Sequence, residues 1–433
     1  MIGRRTLLTA SAAALAAPAI ISKAEAQSSF NWQQCKGQKL VVSLTKSPRA
    51  DNLQAHEKEF EALTGIKVQS EQMPEQQQRP KMVMELASGN PSFDITHFSL
   101  HVSKRVVGTG KLLVDIRPYL ANPKLTAPDF DYKDFGPGAI AAITQPDGRV
   151  DSLPVETDLW LVYYNKQMLP QMPKTLDEMM AAAHKLTDPS KNLYGFVARG
   201  LKNANVPVWT SFLLGEGQET ISKDFKTLLT DTPEAIWAGE YYKKIMRECA
   251  PPGVVGFNWN ESQTSFMQGN VAMWLDGVGF CPPLVDPKVS KIYDHVGVGL
   301  MPAGPKAHHC AMFNDGIAIA AKSRVKEAAW LYCQWATSKQ MALNLVNMGG
   351  GASPRLSTYS NPALKPPTQE WLTTLLESLK IARPGLPEIV PVTEFRDVMG
   401  IALTNMIQGA DVASELKKAT QDFKPVLEKS LKT

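Results

Sequence analysis

Residues 159–164, Leu-Trp-Leu-Val-Tyr-Tyr, form an unbroken apolar, aromatic and β-branched run of strand length. Such a run has no polar face to give to water, so it predicts a strand buried on both faces, in a sheet covered by helices. Just upstream, Pro154 lacks a backbone donor and reads as the start of a crossing, not as a strand centre. Glu156 and Asp158 follow two residues apart and share one face of an extended segment. Two carboxylates at the mouth of a buried strand, after a proline bend, point to a polar site beside a domain crossing. The competing reading is a surface loop that leads into a core strand.

The chain has 433 residues, more than one core usually fills, which predicts two domains. Hydrophobic residues make up 44% and charged residues 20%, the balance of an ordinary globular protein. Arg4-Arg5, an Ala/Leu/Ile run to Ile21 and the small-x-small pattern at Ala24 to Ala26 predict an export signal over residues 1–26. The twin-arginine route is the first choice there and ordinary secretion the second. Removing residues 1–26 takes away three basic residues and one acidic residue, which lowers the formal net charge from +4 to +2. No Lys/Arg block remains, so a nucleic-acid partner has no electrostatic support. No later apolar run reaches the ~20 residues of a membrane span. The expectation is a soluble, monomeric, periplasmic protein. Five cysteines at scattered spacing give neither a disulfide framework nor a metal knuckle. Buried free thiols are expected, with one bridge among Cys249, Cys281 and Cys310 as the alternative.

Along the first part of the chain, strands are predicted at residues 39–44, 66–69 and 93–98, with helices between them. Strand and helix in alternation argue a parallel sheet with right-handed crossovers. Ligands of such sheets bind beyond the carboxyl ends of the strands. That rule makes Lys46, Arg49, His97 and Ser99 candidate contacts. His97 and His101 have a helical metal spacing but stand at a strand end without an acidic third ligand, so no metal site is expected. After the crossing, Thr175 and Glu178 form a capping box, and residues 194–198 read as a strand. Residues 271–275 read as another strand, with Asp276-Gly277 as a tight turn at its end. Residues 317–321 read as a return to the first sheet, and Gly349 to Gly351, without the G-K-[ST] of a P-loop, as a bend.

Pro154, Glu156, Asp158, Trp160, Tyr163 to Lys166, Pro173 to Glu178, Tyr194-Gly195, Phe266 to Met273, Gly316-Ile317, Ala329-Trp330 and Pro354-Arg355 occur in one order. Each is weak alone. Together, over nearly all of residues 27–433, they resemble the periplasmic solute-binding proteins of ABC importers, in the carbohydrate-binding group that includes the maltose-binding protein.

The resemblance implies an α/β periplasmic-binding-protein fold of type II: two α/β lobes joined by a hinge, with the ligand in the cleft between them. It places the first lobe at residues 27–155 plus 314–350 and the second at 156–313 plus 351–433. The implied partners are a small carbohydrate, a sugar or sugar alcohol, and the membrane permease, with no cofactor. Trp160, Trp209 and Trp274 are then candidates for stacking on the ligand. Glu156, Asp158, Asp276, Asn314 and Asp315 are candidates for hydroxyl contacts. Arg355 and Arg383 are candidates for bidentate donation. Core packing remains the competing reading for each tryptophan.

Two alternatives stay open. An anionic sugar derivative, a phosphate or sulfonate, fits if Lys46, Arg49, Arg355 and Arg383 converge. A secreted glycoside hydrolase requires two carboxylates flanking one bond, which neighbours such as Glu156 and Asp158 on one short segment cannot do. No Ser-His-Asp order or G-x-S-x-G elbow is present.

Overall fold

The computed structural model describes residues 30–432. The export signal expected at residues 1–26 lies outside the described residues.

Among the described residues eight strands carry the architecture: β1 (Lys39–Thr45), β2 (Lys67–Met73), β3 (Ile95–Ser99), β4 (Leu153–Asn165), β5 (Met273–Gly277), β6 (Val296–Gly299), β7 (Cys310–Ile319) and β8 (Ala382–Pro384). β1 pairs in parallel with β2 and β3, as the alternation of strand and helix predicts. β7 then adds antiparallel to β3, so the sheet is mixed and not purely parallel. The apolar run at residues 159–164 lies inside β4, all of whose thirteen residues are buried. Pro154 does not separate a crossing from this strand. The register shifts between Pro154 and Glu156, and the pairing with β7 continues to Leu159. From Trp160 onward β4 pairs instead with β5 and β6. One strand therefore belongs to two packed bodies.

Those bodies are two apolar cores. The first gathers Leu40, Phe60, Phe98, Ile317, Trp330 and Tyr332, among others. The second gathers Tyr163, Trp209, Trp274, Trp371, Phe395 and Phe423, among others. Three stretches of backbone run between them: β4, β7 and the segment at Ala352, which exchanges backbone hydrogen bonds of 3.0 and 3.1 Å with Thr157.

Two local readings differ. Residues 194–198 make only isolated parallel bridges, Tyr194 to Val271 and Val197 to Trp274, and no extended ladder. Asp276-Gly277 is not a turn. The strand runs on through it, with Asp276 opposite Leu161 and Gly277 opposite Trp160. The glycine serves a close approach instead, because a Cβ there would lie 2.2 Å from the Asp158 carboxylate. All five cysteines are buried and free.

Candidate functional site

The carboxyl ends of β1, β2 and β3 face the gap between the two cores, and each is followed by a helix whose first turn brings side chains to it. Ser47 caps the helix Pro48–Thr64 by accepting from the Ala50 N–H, and Pro48 fits its first turn. This fixes Arg49 at the cleft. The helix Glu75–Ser88 places Glu75 and Arg79 one turn apart, paired at 2.9 Å. Ser99 closes β3 and accepts from Arg79 at 3.1 Å. From the second body come Arg199, Trp259, Phe280 and Arg396.

The cleft has an acidic end and a basic end. At the acidic end Arg49 donates through Nε to Asp315 at 2.9 Å and makes an ion pair with Glu156 at 2.9 Å. Burial alone would lower the Arg49 pKa, but Glu156, Asp315 and Asp158 outweigh it and hold the guanidinium firmly charged. Burial opposes ionisation of Asp315 too, and Arg49 overrides it, so this carboxyl sits below its usual range. Asp158 lacks such a partner, and burial pushes it up to about 6. Glu156 is raised further still, chiefly by burial. His97 lies 3.5 Å from Asp315 and is driven down to about 4 by burial, so it is neutral at pH 7.

At the basic end Arg199 grips Asp276 with Nε at 2.9 Å and Nη2 at 2.5 Å, and lies over the rings of Trp160 and Phe280 at 5.1 and 5.6 Å. Its Nη1 is 3.9 Å from Glu75 of the first body, and Asn258 donates to Glu75 across the gap at 3.0 Å. Trp259 stacks on Phe280 at 5.0 Å, and Trp160 meets Phe313 edge-on at 5.5 Å. The cavity between these side chains is small, about 50 Å³. That holds on the order of four waters, which suits a short ligand better than an oligosaccharide.

Of the residues singled out from sequence, Lys46, Arg49, Ser99, Asp158, Trp160 and Asp315 line this cavity. His97, Glu156 and Asp276 lie just beneath and act on the lining as partners of Asp315, Arg49 and Arg199.

Asn314 lies outside this cavity: it points to the opposite face of β7 from Asp315, accepts from the Thr157 hydroxyl at 2.8 Å and lines a second cavity of about 400 Å³. Four expectations need correction. Trp209 is fully buried in the second core, its indole donating to the Ala235 carbonyl at 3.4 Å. Trp274 is fully buried too, stacked on Tyr163 at 5.2 Å beneath the cleft wall. Arg355 is an internal staple: it donates to Phe130, Asp131 and Thr337 carbonyls, pairs with Asp134 at 3.3 Å and covers the Phe135 ring. Arg383 is exposed on β8, bonded to the Ala382 carbonyl at 2.7 Å. Lys46, Arg49, Arg355 and Arg383 therefore do not converge.

The sequence reading missed Glu75, Arg79, Arg199, Trp259, Phe280, Phe313 and Arg396. Glu75 and Arg79 follow β2 directly, so the rule that selected Arg49 also covers them. No comparable signal marks Arg396, on the helix Val392–Gln408 far along the chain. Among the described residues no cluster of His, Cys, Asp and Glu has the makings of a metal site, and no helix is long and apolar enough to cross a membrane.

Two α/β bodies joined by three strands of backbone, with charged and aromatic side chains converging between them, define a binding protein of the type II periplasmic fold. The chain belongs to the bacterial extracellular solute-binding proteins, whose family pattern it matches over residues 46–342. It is 26% identical over 421 residues to the erythritol/L-threitol-binding protein of Mycolicibacterium smegmatis, an alignment covering 91% of this chain and 87% of that one. It is also 26% identical, over 63% of its length and 64% of the relative's, to the mannitol-binding protein of Pseudomonas aeruginosa. A solute-binding protein of Agrobacterium radiobacter K84, crystallised with ribitol, superposes with a TM-score of 0.83 at 24% identity, over 90% of this chain and 99% of that one.

Proposed function

We propose that this chain captures a short polyhydroxy ligand, a sugar alcohol or small sugar, and delivers it to the membrane permease of an ABC importer. The observation that carries the reading is the cavity itself. Paired arginines and carboxylates offer donors and acceptors matched to hydroxyl groups, beside aromatic faces suited to C–H surfaces. Its size suits a short ligand, although Glu75, Arg79 and Arg396 also border an open groove of about 830 Å³. The relatives that bind erythritol, threitol and mannitol support the same ligand class.

In this reading the lobes meet at residues 155/156, 313/314 and 350/351, and ligand shifts the protein toward the closed arrangement of the lobes. The protein works as a periplasmic monomer after cleavage near Ala26, without catalysis. Glu156 is sealed beneath Arg49 and Asp158 belongs to the same group of carboxylates around it, so the two do not flank a glycosidic bond from opposite sides.

The test is isothermal titration of residues 27–433 with erythritol, ribitol, mannitol and small sugars, with thermal shift alongside. A polyol of four to six carbons should bind in the micromolar range or tighter, on the order of −8 kcal/mol. The melting temperature should then rise with the logarithm of its concentration. No heat and no shift with any polyol or sugar would sink the reading.

A further inference from the structure

The two ends of the cleft are not electrostatically equivalent. Around Arg49 stand three carboxylates, Glu156, Asp158 and Asp315. At the other end three guanidiniums, Arg79, Arg199 and Arg396, share Glu75, and Asp276 is committed to Arg199 by a two-pronged grip. Arg396 is only 5% exposed and yet pairs with no carboxylate, since its Nη2 donates to the Asn203 carbonyl at 3.0 Å. Its Nε is buried without a partner, and so is the Nε of Arg79. Both side chains line the cavity. Burial, followed by the nearby Arg79, pulls the Arg396 pKa down to about 9, and Glu75 and Asp397 offset this only in part. Burial alone would raise Glu75, but Arg79, Arg199 and Arg396 together hold it down to about 2. Two carboxylates, Glu75 and Asp276, thus face three guanidiniums, which leaves one cation in excess, and the Nε of Arg79 and of Arg396 have no partner.

A neutral hydroxyl can accept from these guanidiniums but cannot balance the charge. A carboxylate does both, because its oxygens accept charge-assisted hydrogen bonds from two guanidiniums at once. The geometry points to a ligand with a carboxylate at one end, a polyhydroxy acid (aldonate), seated between Arg79 and Arg396 with its hydroxyl chain running toward Asp158 and Asp315. This deepens the polyhydroxy-ligand reading and rests on it. The carboxylate would occupy the basic end beside Glu75, while the acidic end would take hydroxyl protons.

Matched pairs test it, because erythronate differs from erythritol, and ribonate from ribitol, only in the terminal carbon. Titration of residues 27–433 should give at least tenfold tighter binding of the acid in one pair or both. Arg396→Met should lower the ratio of acid to alcohol affinity at least tenfold. Arg79→Met, on the other lobe and partly exposed, repeats the test independently should the first variant fail to fold, which its melting curve would reveal. Equal or tighter binding of the neutral alcohols, with the ratio unmoved by both variants, overturns the acid proposal and leaves the polyol reading standing. Tighter binding of a zwitterion such as threonine than of either acid overturns it in favour of an amino-acid ligand. Failure of every acid and every alcohol to bind overturns the polyhydroxy reading itself, and this proposal with it.

Discussion

Arg49 and Asp315 stand 266 residues apart in sequence and 2.9 Å apart in space, Nε to Oδ2, at the point where β1 and β7 reach the cleft. The same guanidinium contacts Glu156 of β4, so one side chain ties the first helix to two of the three connections between the lobes. Replacing Arg49 by Met keeps the volume and leaves Asp315 and Glu156 buried without a cation. Breaking a buried pair from one side typically costs about 3–5 kcal/mol. Urea denaturation of Arg49→Met should show a loss of that size with an unchanged m-value. A loss under about 1 kcal/mol would mean that the carboxylates find protons or other partners.

Asp158 makes the opposite contribution. Its folded pKa of about 6 lies above the ordinary 3.8, so the folded state holds its proton more tightly than the unfolded chain does. The stability cost is absent below pH 4, grows between pH 4 and 6, and is fully present above 6. Asp158→Asn removes it. At pH 7.5 the variant should be more stable than the wild type by about 1–3 kcal/mol, since each tenfold change in proton affinity is worth about 1.4 kcal/mol. The advantage should vanish near pH 4. Glu75, held down to about 2, acts in the other sense: its contribution is present above pH 4.5 and is lost as pH falls toward 2. A parallel pH-stability profile of wild type and Asp158→Asn between pH 4 and 8 would contradict the assignment.

The connecting strand was legible because its pattern is unusual: six apolar residues without alternation, next to two carboxylates in step. The ends of β1 and β3 were legible through the rule that open sheets bind at their carboxyl edge. The tryptophans were not. Strand or helix periodicity says which residues share a face, but not whether that face meets a cleft or a core, and Trp160 and Trp274 differ only in that. Arg355 shows the same limit for charge: an arginine near a crossing reads as a ligand donor until its three carbonyl partners appear. Arg199 and Arg396 act through partners in other segments, Asp276, Glu75 and Asn203, which no local window contains.

Between the lobes, Lys104 of the first pairs with Glu388 of the second at 2.9 Å. Lys104 is buried and Glu388 half-exposed, so the pair holds the lobes together where solvent screening is incomplete. Glu388→Gln should shift the ligand-free protein toward a more open form. Apparent affinity falls by the fraction that remains competent, so on the order of threefold weaker ligand binding is expected. Small-angle scattering should show a larger radius of gyration without ligand and an unchanged one with it. Identical scattering curves and affinity would show that this pair does not bias closure.

Gly351 lies on the third connection with φ +140°, a region that L side chains rarely adopt. A Cβ there would also lie 2.3 Å from Glu156 Oε2 and 3.0 Å from its Cδ. Glu156 has nowhere to go, since it is fully buried against Arg49. Gly351→Ala therefore combines backbone strain of about 1–3 kcal/mol with displacement of the buried ion pair. Gly37 supplies the control, because it too has positive φ, +87°, but an added Cβ meets nothing within 4 Å. Gly37→Ala should lose only the backbone part, roughly 1 kcal/mol. Gly351→Ala should lose at least ~2 kcal/mol more, and combining it with Arg49→Met should cost less than the sum, because both act on Glu156. Denaturation midpoints of the four variants, each set against the wild type, decide the matter. Equal losses at Gly351 and Gly37 would show that Glu156 yields freely and that the third connection is not braced by the ion pair.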